Sequence, residues 1–231
     1  MLRIEEASKA YKHRGRDVIA MSRVSLNIEK GDFICIVGPS GSGKSTFLLT
    51  LGGMLSPSEG RVLLEGRSLY DLPANDRARI RRERMGFVFQ TFNLIPYLSA
   101  IENVEVPLLL NRETEEEQTS RAESLLRKVR LGDRLDHKPP ELSVGQQQRV
   151  ALARMLANDP EVILADEPTG NLDPATGQQI IEFLAELNLE GKTVVMVTHD
   201  QRAAVKAKKV LWLYEGRLSA EERKGARPFD Q

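Results

Sequence analysis

The sequence predicts an α/β fold: a parallel sheet flanked by helices, with an antiparallel β portion at its N-terminal end and an all-helical stretch inserted in the middle. Three observations predict it. Short apolar runs of strand length alternate with segments of helical period, the pattern of β–α–β units. Leu2 to Lys30 instead alternates apolar and polar residues in short pieces, as in SRVSLNIEKG, which reads as antiparallel strands. Between Thr91 and Asn158 the strand signals vanish and helix signals dominate.

In chain order, Gly31 to Val37 (GDFICIV) is a buried strand running into a Gly-rich loop, and Lys44 to Met54 follows as a helix. Pro57 to Tyr70 returns to strand character with a turn at Glu65-Gly66. Ala74 to Arg84 is a basic helix with a solvated charged face, and Met85 to Phe89 a short strand. In the helical stretch, the polar, acidic NRETEEEQT segment marks an exposed loop or helix start, and Pro139-Pro140 breaks the chain ahead of the strongly periodic ELSVGQQQRVALARMLA. Val162 to Ala165 is a strand, Pro174 to Leu189 a helix with Pro at its start, and Thr193 to Val197 a buried strand. Asp200 to Lys208 reads as a helix, and Val210 to Leu218 as strand–turn–strand around Glu215-Gly216. Residues 1–90 and 159–220 thus form the α/β core with its antiparallel part, 91–158 the helical subdomain, and 221–231 a polar, frayed tail.

Composition narrows the function. The chain has 231 residues, enough for one sizeable core with a subdomain. Lys plus Arg and Asp plus Glu number 33 each, so no global charge favours nucleic acid or an anionic membrane surface. Cys35 is the single cysteine, which excludes an intrachain disulfide. No apolar run approaches the roughly 20 residues of a membrane helix, and the N-terminus has no apolar signal core. The reading is a cytoplasmic protein; work at a membrane would need a partner to hold it there.

The strongest chemical signal is Gly38-Pro39-Ser40-Gly41-Ser42-Gly43-Lys44-Ser45, followed by Thr46. It fits the phosphate-loop pattern in full, between a strand and a helix. Glycines let backbone N–H groups surround phosphate oxygens, and the helix start adds its positive dipole end. Lys44 can neutralise β and γ oxygens, and Ser45 can ligate Mg²⁺. The core is therefore that of a P-loop nucleotide triphosphatase. A second signal is Val162-Ile-Leu-Ala-Asp166-Glu167, an apolar strand that delivers two carboxylates at its end. Asp166 is placed to hold Mg²⁺ through water, and Glu167 to polarise the attacking water.

With these motifs in place, the chain resembles an ATP-binding-cassette (ABC) ATPase from end to end. Leu142-Ser143-Val144-Gly145-Gln146 resembles the family signature, Asn171-Leu172-Asp173 the D-loop, Gln90 the Q-loop glutamine and His199 the switch histidine; Tyr11 is the candidate adenine-stacking aromatic. The resemblance implies a composite site in which each ATP lies between the phosphate loop of one copy and Ser143, Gly145 and Gln146 of a second. It also implies Gln90 beside Mg²⁺ and Asp173 at the nucleotide. The signature departs from the commonest form at Val144, where Gly is usual; a β-branched residue requires negative φ there. Longer strings, GFVFQTFNLIPYLSAIENVEVPL and LADEPTGNLDPATG among them, are similar to cassettes of lipoprotein-release (LolD-like) and macrolide-export (MacB-like) systems, with the cell-division cassette FtsE a near relative. This implies a separate membrane permease as partner, peripheral attachment to the cytoplasmic face of the membrane, and no nucleic acid. A DNA-repair or chromosome-organising cassette would carry a long coiled coil, and a translation-associated one a second cassette; the chain has neither.

Overall fold

The computed structural model describes residues 1–13, 15–111 and 113–221. The expected polar tail falls almost wholly on residues 222–231 and lies outside the described residues.

Two sheets organise the chain. The first has order β2-β1-β4-β5 and is antiparallel. Its long strands β1 (Leu2–His13) and β2 (Arg16–Ile28) form a hairpin, with β4 (Glu59–Leu64) and β5 (Arg67–Ser68) alongside. The hairpin's register shifts near Ala7, where Glu6 and Arg23 hold positive φ. Hydroxyls answer the amides that the bulges release: Glu6 N–H donates to Ser25 Oγ and Arg23 N–H to Ser8 Oγ.

The second sheet has order β10-β9-β3-β8-β7-β6 and is parallel except for the edge strand β10. Its strands are β3 (Phe33–Val37), β6 (Met85–Val88), β7 (Val162–Asp166), β8 (Thr193–Thr198), β9 (Lys209–Tyr214) and β10 (Arg217–Ser219). In β3 and β8 every residue is buried, as a sheet covered on both faces demands. Alternate residues serve different cores. Ile34, Ile36, Leu164 and Val197 face helix α1 (Lys44–Leu51) and the first sheet, where Phe47, Leu48, Leu2, Ile4 and Met21 pack. Cys35, Ile163, Val194 and Met196 face the other way, toward α5 (Val144–Leu156) and α6 (Pro174–Leu189).

Helix α2 (Ala74–Arg84) leads into β6; between β6 and β7 the regular elements are all helical, namely α3 (Ala100–Glu105), α4 (Glu115–Lys128), α5 and two 3₁₀ turns. Helices α3, α4 and α5 each start with a reciprocal capping box, Ser99/Glu102, Thr114/Glu117 and Ser143/Gln146. The fully buried Asn103 anchors the loop ahead of α3. Its Nδ2 donates to the carbonyls of Ile95, Leu98 and Ser99, and its Oδ1 accepts from Ile95 N–H.

Two elements differ from the sequence reading. Helix α1 stops at Leu51, because Gly52-Gly53 follows and Gly53 turns to φ +71°. Asp200 to Lys208 is not an α-helix: Gln201–Lys206 is a 3₁₀ turn started by Asp200, whose side chain accepts from Arg202 N–H. That segment carries no continuous apolar stripe, and Val205 is 80% exposed, so packing supplies no reason for a longer helix.

Candidate active site

The ends of β3, β7 and β8 meet at one edge of the parallel sheet, where the crevice outside the carboxyl ends of the strands lies. From β3 the chain enters the loop Gly38–Gly43. Gly38 N–H donates to the Thr198 carbonyl, and a side chain at Gly38 would collide with Leu213 and Ser42. Gly41 and Gly43 hold φ of +77° and +102°, which glycine adopts without strain. Gly43 caps α1 without a side chain, and no acidic residue stands in the first turn, so its amides are free to meet an anion.

Lys44 is buried and its Nζ is held at three points: the carbonyls of Gly38 (2.8 Å) and Pro39 (3.0 Å), and Glu167 Oε1 (3.3 Å). Glu167 follows β7 with φ +47°, an uncommon conformation for a side-chain-bearing residue, and this turns its carboxylate across the loop. Its Oε2 accepts from the backbone N–H of His199 (3.1 Å), lies 2.8 Å from His199 Nδ1, and accepts from Thr198 Oγ1 (3.3 Å). Lys44, Glu167 and His199 thus form one chain of polar contacts across the ends of three elements.

Asp166, one residue earlier, lives differently. Burial pushes its carboxyl above the ordinary aspartate range, against a hydrogen bond from Ser45 and with further upward push from Glu167. Its Oδ1 is buried and has no hydrogen-bond partner. An orphaned carboxylate oxygen beside a hydroxyl, next to a loop shaped for phosphate, fits a hard oxygen-ligated cation such as Mg²⁺.

The remaining predicted residues lie around this cluster. Tyr11, on β1, is 40% exposed, and its hydroxyl is 3.4 Å from Thr46 Oγ1 at the start of α1; Lys9 Nζ sits 5.5 Å from its ring centroid. Ser40 and Gly41 stand at the exposed tip of the loop, with Ser42 buried beneath. Gln90 faces Asn171: its Nε2 donates to Asn171 Oδ1 (3.4 Å), and Asn171 Nδ2 donates to the Gln90 carbonyl (2.9 Å). Among the described residues no hydrogen bond joins Gln90 to Ser45 or Asp166. Asp173 caps α6, accepting from Ala175 and Thr176 N–H, and these bonds, with the Thr176 side chain foremost, hold its carboxyl below the usual range. Ser143 caps α5 and Gln146 returns the bond. Val144 opens that helix without positive φ, as its branched side chain requires, and is 48% exposed. Gly145 is needed by proximity, since a β-carbon there would lie 2.7 Å from Thr176 Cγ2. No hydrogen bond or ion pair among the described residues links Ser143–Gln146 to the phosphate loop.

Two residues outside the sequence reading tie these parts together. Gln148 is fully buried on α5 and donates to the Pro168 carbonyl at 2.7 Å, joining that helix to the turn after Glu167. A signal existed: Gln148 is a polar residue on the stripe it shares with Ala151, Leu152 and Met155. Arg154, near the end of α5, donates to the carbonyls of Phe92 and Asn93, a placement no sequence pattern announces.

A phosphate-shaped loop before a helix, with a lysine, a metal-suited aspartate and a glutamate converging on it, defines a P-loop nucleotide triphosphatase. Comparison with known proteins takes this further. Residues 21–170 match the model of the ABC transporter family. The ABC transporter ATP-binding protein MJ0796 of Methanocaldococcus jannaschii is 46% identical over the full chain and 99% of its own length. YvrO of Bacillus subtilis, another such protein, is 44% identical over 96% of this chain and 97% of its own. A macrolide export ATP-binding/permease protein MacB, of Bdellovibrio bacteriovorus, is 45% identical over 99% of this chain but only 35% of that protein. A solved dimer of the MJ0796 cassette in a post-hydrolysis state, bound to ADP and Pi, superposes with a TM-score of 0.88 at 44% identity, covering 96% of this chain and all of that one. The chain belongs to the ABC transporter family as its ATP-binding, ATP-hydrolysing cassette.

Proposed function

We propose that two copies of the chain pack head to tail and hydrolyse MgATP in two composite sites between them. Each site joins Gly38–Thr46 of one copy to Ser143, Gly145 and Gln146 of the other. The observation that carries this reading is how the parts are divided. Lys44, Ser45, Asp166, Glu167 and His199 converge within one chain, whereas the signature helix start stands apart with its cap complete. The dimeric form of the MJ0796 cassette supports it.

In this reading Lys44 and the first amides of α1 hold the β and γ phosphates, and Tyr11 stacks on the adenine. Ser45 and Asp166, with Gln90, hold Mg²⁺, which when bound neutralises charge on the phosphate oxygens. Glu167 accepts the proton of the attacking water, and His199 fixes the Glu167 carboxylate and reaches the γ-phosphate. Asp173 places the D-loop at the partner's nucleotide. Residues 1–90 and 159–220 act as the nucleotide-binding body, and 91–158 as the helical subdomain that carries the signature.

Closure of the pair then drives a membrane permease, with the chain peripheral on the cytoplasmic face. Among the described residues no helix is long and apolar enough to cross a membrane, and MacB-type relatives combine such a cassette with a permease by name. Lipoprotein release or efflux is the substrate class that the motif strings favour. Replacing Glu167 by Gln keeps the shape of the side chain but removes the proton acceptor, so ATP should bridge two copies unconsumed. Light scattering of Glu167→Gln with MgATP should give twice the 25.9 kDa chain mass. A species that stays at the chain mass with nucleotide bound overturns the composite site for the isolated subunit.

A further inference from the structure

The turn that follows Gln90 is held in an unfavourable backbone conformation by an arginine from the signature helix. Phe92 and Asn93 stand consecutively in the left-handed region, at φ +55° and +51°. Asparagine tolerates that conformation, but a bulky aromatic residue rarely adopts it, so Phe92 needs a restraint from outside itself. The restraint is Arg154: one Nη donates to the Asn93 carbonyl and the other to the Phe92 carbonyl, both at 2.7 Å. Among the described residues Arg154 makes no ion pair, and burial draws its pKa below the ordinary arginine value. A guanidinium kept half-buried without a carboxylate partner has its donors committed to shaping main chain rather than to balancing charge.

Gln90 lies two residues upstream and is tied on its other side to Asn171 of the D-loop. The segment is therefore strung between two anchors, the loop beyond Glu167 and the helix capped by Ser143. We propose that Arg154 is a positioning residue for ATP hydrolysis: by forking onto Phe92 and Asn93 it fixes where Gln90 stands relative to Asp166 and Glu167, and links that position to the signature helix. The inference rests on the proposed role of Gln90 at the nucleotide. It predicts an effect on turnover more than on ATP binding, because no hydrogen bond or ion pair among the described residues joins the phosphate loop to this turn. It also predicts that lysine is a poor substitute, since a single ammonium cannot present two parallel donors to neighbouring carbonyls.

Steady-state ATPase assays on the full chain, with thermal unfolding run in parallel, test the idea. Arg154→Gln should lower kcat about tenfold, ~1.4 kcal/mol in barrier, while KM for MgATP stays within about twofold; Arg154→Lys should recover little. Phe92→Gly should restore most of the turnover lost in Arg154→Gln, because glycine holds without a clamp the positive φ that phenylalanine holds only under restraint. In a Gln90→Ala background Arg154→Gln should cost no more than about twofold further. Equal losses in every background, or a raised KM with unchanged kcat, overturn the proposal, as does a loss of activity that only tracks unfolding. Gln90→Ala alone reads the underlying assignment. Near-normal turnover there removes Gln90 from the reaction and the inference with it, whereas lowered turnover with additive losses overturns Arg154 alone.

Discussion

Asp166 and Glu167 are neighbours in sequence with opposite surroundings, and the difference suits them to the different work proposed for each. Asp166 is buried with an oxygen unanswered, the condition of a cation holder; Glu167 is turned by its positive φ into contact with Lys44 and His199, the condition of a group that handles a proton. Lys44→Ala should abolish hydrolysis and greatly weaken MgATP binding, as measured by nucleotide titration, because the phosphate charge is then uncompensated in the loop. Near-normal turnover would remove the phosphate site from Gly38–Thr46. Cys35, on the strand leading into that loop, carries the opposite expectation. Burial foremost, with the Glu167 charge behind it, pushes its thiol up to about 12, so it should resist alkylation in the native protein at neutral pH and react only on unfolding, as mass spectrometry would read. The thiol form favours the fold, so the stability it contributes is complete below the ordinary thiol value of 9.0 and is lost as pH rises through about 12. The phosphate loop and the paired carboxylates were legible because their chemistry is carried by residue type at fixed spacing. The left-handed turn at Glu167 was not, since no residue type there announces it.

At the scale of elements, legibility followed packing. The helix Pro174–Leu189 and the buried strands were readable to their ends or nearly so, because period, capping and burial agree in them, and Ala74–Arg84 was readable without a cap or a buried face, from its run of helix-favouring charged residues. Gln201–Lys206 misled because a polar segment that opens on an Asp200 cap but has no apolar stripe leaves helix and 3₁₀ turn alike in pattern. The contacts that bind elements to one another were invisible too. Gln148 to Pro168 and Arg154 to the Phe92–Asn93 turn join residues far apart in sequence, and only the fold sets those distances. Asn103 shows how much one such residue can hold. Asn103→Ala removes an acceptor and three donated bonds from a wholly buried position, leaving carbonyls of Ile95 and Leu98 without that partner. The expected loss is about 2–3 kcal/mol, read as a lower urea midpoint with an unchanged slope. A change within about 0.5 kcal/mol would mean that solvent replaces these bonds at no cost.

For the whole molecule, the segment that Asn103 and Arg154 brace also carries exposed apolar residues. Of the run Phe92, Leu94, Ile95, Pro96, Tyr97 and Leu98, Pro96 and Tyr97 are exposed, Tyr97 at 72%, while Leu94 packs on the core beneath. We take this stretch as the permease-docking surface. Tyr97→Ala should then lower transport and cysteine crosslinking to the permease while ATP turnover of the isolated cassette is unchanged. Crosslinks that map only to the strand-rich N-terminal part would move the docking surface there. Gln90 lies at the foot of this stretch and is bonded to the D-loop, so a braced segment can carry motion from the nucleotide outward as a unit.

The N-terminal hairpin brings a backbone carbonyl, that of Ala20, against the phosphate loop. The Ala20 oxygen lies where a side chain on Gly43 would sit and 2.9 Å from where a β-carbon on Gly216 would stand, while Ser22 N–H donates to the Gly216 carbonyl and Gly216 N–H to that of Ser42. This has a consequence for heredity. What position 20 supplies to this contact is main chain, so the contact does not depend on which side chain stands there. Positions 43 and 216 supply an absence, and most single-base changes in a glycine codon would fill it. A contact that contains no side chain at all can therefore constrain sequence as tightly as a packed one.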